Sequence, residues 1–423
     1  MGYNTKATGV RSFAVGSETQ AIGDNSTATG NDTYASGTNS TAMGINTTAS
    51  GAHSTAMGSD TRASGGRSTA RGESTKASGD QSTAMGSSST ASADNSTAMG
   101  YSTTASDWSA TAMGHTTVAS GIASTAMGYH TTASDHRSTA MGNGTMASGF
   151  SSTAMGRETT ASGDYTFSLG SYATAKSACE TVFGRYNTDY TPNSTTTWDA
   201  ADRLLVVGNG TSTTPSNAMV ILKNGKVGIG QDNPTAGLHV RRDKKDEFAV
   251  KIANSLNPSS GYAHGLSIRA GGSGNGNNSG HYFVIFTKPN GVSIGGIRQE
   301  TGASVSYLTT SDSRLKTQIV DTRFGIEDLM NIQVSDYRYK VEMDKLSTGF
   351  IAQQLYDVYP QAVAPGGDDE LKDPWMVDYG KVTPLIVKSV QEQQEIIDSQ
   401  QAVIDQLLQQ LQVLTERVEM LEN

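Results

Sequence analysis

A serine and a lysine five residues apart, in Ser311-Asp-Ser-Arg-Leu-Lys316, form the one place in this chain of 423 residues where a nucleophile and a candidate base occur together. A serine hydroxyl is a weak nucleophile and needs a base to take its proton. Lysine serves only when neutral. Bringing its ordinary pKa of about 10.4 toward 7 requires burial or nearby cations, at a cost of roughly 4 to 5 kcal/mol. Arg314 is a local cation of the required sign, with Asp312 beside it. The same spacing has a second reading, in which Ser311 or Asp312 caps a helix entering Arg314-Leu-Lys316. Spacing alone favours the cap. No other segment offers comparable chemistry. His53, His130, His136 and Asp135 recur at no ligand spacing and read as solvent-facing, so no metal is expected. Lys223-Asn-Gly-Lys226 is the nearest cluster to a phosphate loop, but it reads as a hairpin turn with no helix behind it. No cofactor is implied, and no glycosidase-like carboxylate pair stands out before residue 310.

The elements that would carry such a site begin with a long array. Alanine recurs every seven residues from Ala7 to Ala161, and a glycine slot two positions later runs from Gly2 to Gly170, broken only by Ala93, Asp107 and Asp135. Two heptads make a unit, as in Ser40-Thr-Ala-Met-Gly44 followed by Ile45-Asn-Thr-Thr-Ala-Ser-Gly51. The array is no heptad coiled coil, because it has no leucine seam and a glycine in every heptad. Threonine suits a pleated strand and glycine a tight turn, so the expectation is a solenoid with two short strands and two turns per fourteen-residue coil. Disordered linkers need not keep one register without insertion, which argues against disorder here. An interior of Ala, Thr, Met and Ser is thin, and such a solenoid needs partner chains to bury its face. The array looks nearly degenerate under a seven-residue slip, so something outside it must set the stagger of several chains.

Composition narrows the partners. An apolar content of 35% is low for two or three globular domains, and the deficit falls before residue 176. A net charge of −9 without a Lys/Arg cluster speaks against nucleic acid and anionic membranes as partners. Cys179 is the single cysteine, so no disulfide framework forms within one chain. No apolar signal segment follows Met1, and no run of about 18 apolar residues predicts a membrane span.

After Gly170 the pattern reads as a linker-like stretch over 171–200, then as β structure. Leu204–Val207 and Ala218–Leu222 are short apolar runs, and Asn224-Gly225 signals a hairpin to Val227-Gly-Ile229. Phe248–Ile252, His264–Arg269 and His281–Phe286 read as further strands, with Gly271 to Gly280 as a loop. Recognition of a partner is expected on this module, at Ser273, Asn275, Asn277, Asn278, Ser279 and Tyr282, because loops on rigid scaffolds carry binding residues; the alternative reading of Gly271 to Gly280 is a flexible turn with no binding role. Residues 323–365 look mixed α and β, with a helix near Phe350–Leu355 that stops before Pro360. From Pro384 to Leu421 the pattern is a heptad: Val390, Ile397, Ile404, Leu411 and Val418 at a, and Ile386, Gln393, Gln400, Leu407, Leu414 and Leu421 at d.

Residues 311–423 resemble the C-terminal intramolecular chaperone and auto-protease domain of phage endosialidase tailspikes and tail fibres. The resemblance rests on Ser311-Asp-Ser-Arg-Leu-Lys316, Gly349-Phe-Ile-Ala-Gln353, Tyr359-Pro360, Val377-Asp-Tyr379 and the terminal heptads, in that order. It implies a domain that trimerises, folds the fibre upstream and cuts itself off, with Ser311 as nucleophile, Lys316 as base and Thr310–Ser311 as the scissile bond. The array resembles the head repeats of trimeric autotransporter adhesins, with Ser-Thr-Ala-Met-Gly where those commonly carry Ser-Val-Ala-Ile-Gly; this implies a parallel β-roll of three chains. Val206-Val-Gly-Asn-Gly210 and Leu222–Gly230 resemble the connectors that follow such repeats.

The expectation is therefore a mainly β, fibrous homotrimer. Residues 1–175 form the β-roll of fourteen-residue repeats, 176–247 a β-rich neck, 248–310 a distal β module, 311–384 an auto-cleaving α+β chaperone domain, and 385–423 a trimeric coiled coil. The functional expectation is a viral tail fibre or tailspike precursor, assembled in the host cytoplasm and carried on the virion beside other virion proteins. It would bind a host surface glycan or protein, without membrane insertion. The alternatives are a bacterial surface adhesin and a tailspike with a polysaccharide-degrading site between chains.

Overall fold

The computed structural model describes residues 2–243, 249–252, 266, 268, 282–288, 290–299, 305–340, 342–370 and 373–422. The chain forms two compact units, residues 1–266 and 267–423.

In the first unit each coil contributes one strand of five residues and one of two, such as Thr41–Ile45 and Thr48–Ala49. The short strands stack into a parallel sheet of 13 strands, from Lys6–Ala7 to Thr174–Ala175. The long strands stack into a second parallel ladder, from Phe13–Ser17 to Thr181–Arg185. Both ladders are in register one coil apart: Thr41 pairs with Thr55, Ala42 with Ala56, and Thr48 with Arg62. The alanines point into the coil and form one column of zero exposure, from Ala21 to Ala161. The column stays alanine through Ala161, and only in the last coils does it widen to Ser168, Val182 and Val206, all of zero exposure; overpacking a filled interior costs about 1–3 kcal/mol per site.

The structural period is fourteen, which corrects the expected seven-residue degeneracy. The two glycine slots differ. In the long strands Gly100 sits at φ +133, and a Cβ on it would lie 1.9 Å from the Gly114 carbonyl oxygen. The turn slot holds no residue at positive φ, and Ala93, Asp107 and Asp135 all fall there. A seven-residue slip would set long strands on short ones and place side chains where φ is positive. Each turn also contains a left-handed residue that the sequence pattern did not reveal, such as Asn95 (φ 58) and Ser102 (φ 53). That conformation costs on the order of 1–2 kcal/mol per residue. It is held by bonds to the preceding coil, Asn95 N to Asp80 O and Ser102 N to Ser87 O, both 2.8 Å.

Half of the linker expected over 171–200 belongs to the solenoid, and residues 186–200 carry no strand. Val182 and Gly184 keep their slots, so Thr181–Arg185 adds a further coil, and Arg203–Asn209 stacks on it in parallel. Pro192 and Trp198 belong to an excursion between those strands. Asn217–Leu222 and Val227–Ile229 then cover the last coil as antiparallel strands, with Gly225 at φ +84 in the expected turn.

This end of the solenoid is closed by buried charge. Glu180 occupies the slot that Ser138, Ser152 and Thr166 fill in earlier coils, and it has zero exposure. Its Oε2 accepts from Lys176 N (2.8 Å), Ser177 N (3.0 Å) and the Tyr190 hydroxyl (3.3 Å), while Oε1 has no hydrogen-bond partner among the described residues. Buried Arg203 donates to Thr188 O (2.8 Å) and Thr188 Oγ1 (2.9 Å) and lies 4.1 Å from the centre of the Tyr190 ring. Asp202 accepts from the Asn193 and Ser194 amides. Stacked repeats need an end that cannot take another repeat, and these charges supply one. Burial, partly offset by the amides of Ser177 and Lys176, pushes the Glu180 carboxyl above its ordinary value of 4.5.

In the second unit Tyr282–Thr287, Ser293–Gln299 and Val305–Thr309 form an antiparallel sheet. Ala249–Ile252, expected as strand and part of the first unit, takes no ladder partner among the described residues. The expected strand at His264–Arg269, apart from Leu266 and Ile268, lies outside the described residues, as do Phe248, His281 and the Gly271–Gly280 loop. Further on, helices Ile326–Asn331 and Ala352–Val358 and strands Ser335–Tyr339 and Glu342–Gly349 precede one long helix, Thr383–Glu422. Phe324, Leu355, Tyr359, Ala362, Val382 and Leu385 form its core. Glu392 on the long helix accepts from Ile326 N at 2.7 Å, completing the open amino end of the shorter helix. Beyond that contact the heptad positions are open in the single chain, with Ile397 47%, Leu407 57% and Leu414 58% exposed.

Deleting one whole coil, Ala84 to Thr97, should leave the circular-dichroism spectrum and solubility unchanged, whereas deleting only Ala84 to Thr90 should give aggregated chains; equal behaviour of the two would break the fourteen-residue account. The raised Glu180 pKa means that the folded neck binds a proton more tightly than the unfolded chain. Stability should therefore fall as pH rises from about 4.5 through the folded-state pKa. Glu180→Gln should flatten that decline in thermal melts, and an unchanged slope would rule out Glu180 as its source.

Candidate functional site

The Ser311 segment lies where the three-stranded sheet ends and a tight turn begins. Strand Val305–Thr309 pairs with Ser293–Gln299, Thr309 opposite Gly295. Thr310 is fixed to the same neighbour, its N–H donating to Ile294 O at 3.1 Å and its hydroxyl to Ser293 O at 3.2 Å. Residues Ser313–Leu315 then form one 3-10 turn, with Leu315 N bonded to Asp312 O and Lys316 N to Ser313 O, both 3.1 Å.

Both readings of the motif are realised, by different residues. Asp312 is the cap: its Oδ1 accepts from Arg314 N at 2.8 Å. Ser311 is left to face Lys316, whose Nζ donates to Ser311 Oγ at 2.7 Å. A turn of this length folds position i + 5 back over position i, which is what brings the lysine onto the serine. Arg314 is engaged elsewhere than the expected role required. Its Nη2 lies 2.6 Å from Asp312 Oδ2 and its Nε 3.1 Å from both carboxylate oxygens, so its charge is compensated locally. The Arg314 guanidinium holds the Asp312 carboxyl below its ordinary value of 3.8, and Asp312 in return raises Arg314. Ser311 and Lys316 are both exposed in the single chain.

The other expected site residues are dispersed. Tyr282 lies on a strand opposite Arg298 and is 41% exposed. Ser273, Asn275, Asn277, Asn278 and Ser279 lie outside the described residues. His136 faces its neighbour Asp135 at 3.1 Å, and His130 packs edge-on against Tyr129 with ring centres 4.2 Å apart. Reading by heptads missed a ladder of rings, Tyr101, His115 and Tyr129, in a slot that Ser59, Ser87 and Asn143 fill elsewhere. Comparing residues fourteen apart would have found it.

Two family models match the chain. The model for the chaperone of endosialidase matches residues 311–364. The model for the YadA head domain repeat matches repeatedly between residues 1 and 173. No curated protein matches. The two matches fall on the two compact units in the order that the motifs indicated: repeats similar to an adhesin head in front, and a segment similar to the chaperone of endosialidase behind.

Proposed function

We propose that the chain is the precursor of a homotrimeric attachment fibre carried on a virion, whose segment from Ser311 onward folds the trimer and then cuts itself off between Thr310 and Ser311. The observation that carries this reading is the 2.7 Å contact between Lys316 Nζ and Ser311 Oγ, one residue past a threonine anchored to its sheet and within the segment matched by the endosialidase chaperone. In the reaction, neutral Lys316 takes the Ser311 hydroxyl proton and Oγ attacks the Thr310 carbonyl carbon. The Thr310–Ser311 C–N bond breaks as the lysine returns the proton to the Ser311 nitrogen, leaving Thr310 as an ester on Oγ. Water hydrolyses that ester to a Thr310 carboxylate and a free serine.

An exposed lysine is a poor base, so the reaction needs neighbouring chains to bury it. The open heptad face of Thr383–Glu422 supports that coupling: one chain alone leaves Leu407 and Leu414 in water, and a coiled coil of three would cover them. Removing the chaperone after assembly also removes the route back to unfolded chains, which gives the fibre kinetic durability.

Ser311→Ala and Lys316→Ala should each slow cleavage by roughly 10²–10⁴-fold while the chains still assemble; a fragment beginning at a residue other than Ser311, or full cleavage of both variants, would displace the dyad. The paired change Leu407→Asp and Leu414→Asp should give chains that neither assemble nor cleave, read by sedimentation and gel mobility. Efficient cleavage by a monomeric variant would separate catalysis from assembly.

A further inference from the structure

One edge of the solenoid departs from the repeat in a directed way. The residue that ends each long strand is small or polar in the early coils, such as Ser59 and Ser87, apart from Ile45. It then becomes Tyr101, His115 and Tyr129 in successive coils, ring on ring, with centres 4.8 and 4.9 Å apart and planes tilted by 21° and 23°. Tyr101 and Tyr129 are 54% and 47% exposed. Farther along the same edge Tyr172 stacks on Tyr186 with centres 4.6 Å apart, and Arg157 and Arg185 each lie 5.5 Å from one of those rings. His130 stands beside Tyr129. From Tyr101 to Arg185 the strip climbs six coils, about 29 Å at the usual strand spacing.

We infer that this edge is a binding track for an anionic polysaccharide lying along the solenoid. The stacked rings leave their edges and polar tips outward, a phenol or an imidazole nitrogen once per coil. That is a row of hydrogen-bond partners at a spacing close to one sugar residue of an extended chain. The two exposed guanidiniums supply the charge complement, and Arg is suited to planar carboxylates through its fork of donors. Glu158, folded across Gly144, is the carboxylate that interrupts the track. The opposite edge makes the contrast: Trp108, His136 and half-buried Phe150 lie there with Arg137 5.8 Å from the Phe150 ring, but Asp107 and Asp135 sit beside Trp108 and His136 and would repel an anionic chain. Two stacks of exposed rings on an edge that carries small or polar residues in most other coils mark an interaction site. The inference deepens the attachment reading by naming the ligand class, and it is independent of the cleavage chemistry.

The test uses the full chain with polygalacturonate, dextran sulfate, neutral dextran and duplex DNA as probes, with binding measured by interferometry at two salt concentrations. The track predicts binding to at least one of the two anionic glycans, weakened by salt, and none to dextran. Tyr101→Ser with Tyr129→Ser, and separately Arg157→Gln with Arg185→Gln, should each weaken it tenfold or more, while Trp108→Ser on the opposite edge changes nothing. Binding to neither anionic glycan, unaffected binding in both double variants, or tighter binding to DNA would each overturn the track. A changed sedimentation coefficient in the Tyr double variant would also overturn it, by placing the strip between copies of the chain. Cleavage is scored in the same samples. Loss of glycan binding with normal cleavage isolates this site, and glycan binding by a chain that fails to adsorb to cells would count against the attachment reading alone.

Discussion

Gly100 lies so close to Gly114 that a methyl group on the first would sit 1.9 Å from the carbonyl oxygen of the second, and the same approach recurs along the long-strand ladder. This backbone contact sets the other features of the first unit. It brings consecutive coils into direct register, lets small residues, alanine with serine and threonine, fill the interior, and goes with a glycine at positive φ once in each coil. It also concentrates the cost of folding. The left-handed turn residues are strained, the interior contributes little apolar burial per coil, and the compensation comes from hydrogen bonds that form only when the next coil is in place. Such a structure gains stability by stacking, so it depends on how its ends are closed.

The carboxyl-terminal end is closed by charge in place of a broad apolar surface. Glu180, Asp202 and Arg203 are buried in the last coils; Glu180 bonds the amides of its own turn, while Asp202 and Arg203 bond backbone groups of the 187–202 excursion. A buried carboxylate that satisfies the amides of its own turn does what a serine does in earlier coils, with a stronger bond and a greater desolvation cost. The return is specificity: only this sequence, at this coil, can accept the hairpin that follows.

A repeat of fourteen residues leaves a register problem between chains. Ala meets Ala and Gly meets Gly after a slip of one coil, so neighbouring arrays would find many nearly equal alignments. The long helix carries what the array lacks, a sequence of unequal layers in which Gln393 and Gln400 interrupt aliphatic positions. The cleavage proposed beside Thr310, which is held by Ile294 and Ser293, would fit a division of labour in which the clamp sets alignment and the array keeps it.

The sequence by itself determined the solenoid, because a residue that recurs every seven positions must occupy equivalent sites and only a coiled backbone provides them. It determined the pairing of Ser311 with Lys316 as candidates, since the chemistry needs those residue types close together, and it determined the long helix from its heptads. The fourteen-residue coil was legible too, but the tertiary structure alone decided that its two glycine slots are not equivalent, because Ala and Gly look identical in both halves of the coil while their φ angles do not. It decided that Asp312 caps and Ser311 does not, because the direction of a turn is not written in spacing. It decided that Arg314 is held by Asp312, since a guanidinium takes the nearest bidentate carboxylate. It also carried the array through Val182 to Val206, across a seeming linker, because stacking on the coil below outweighs a local run of turn-forming residues.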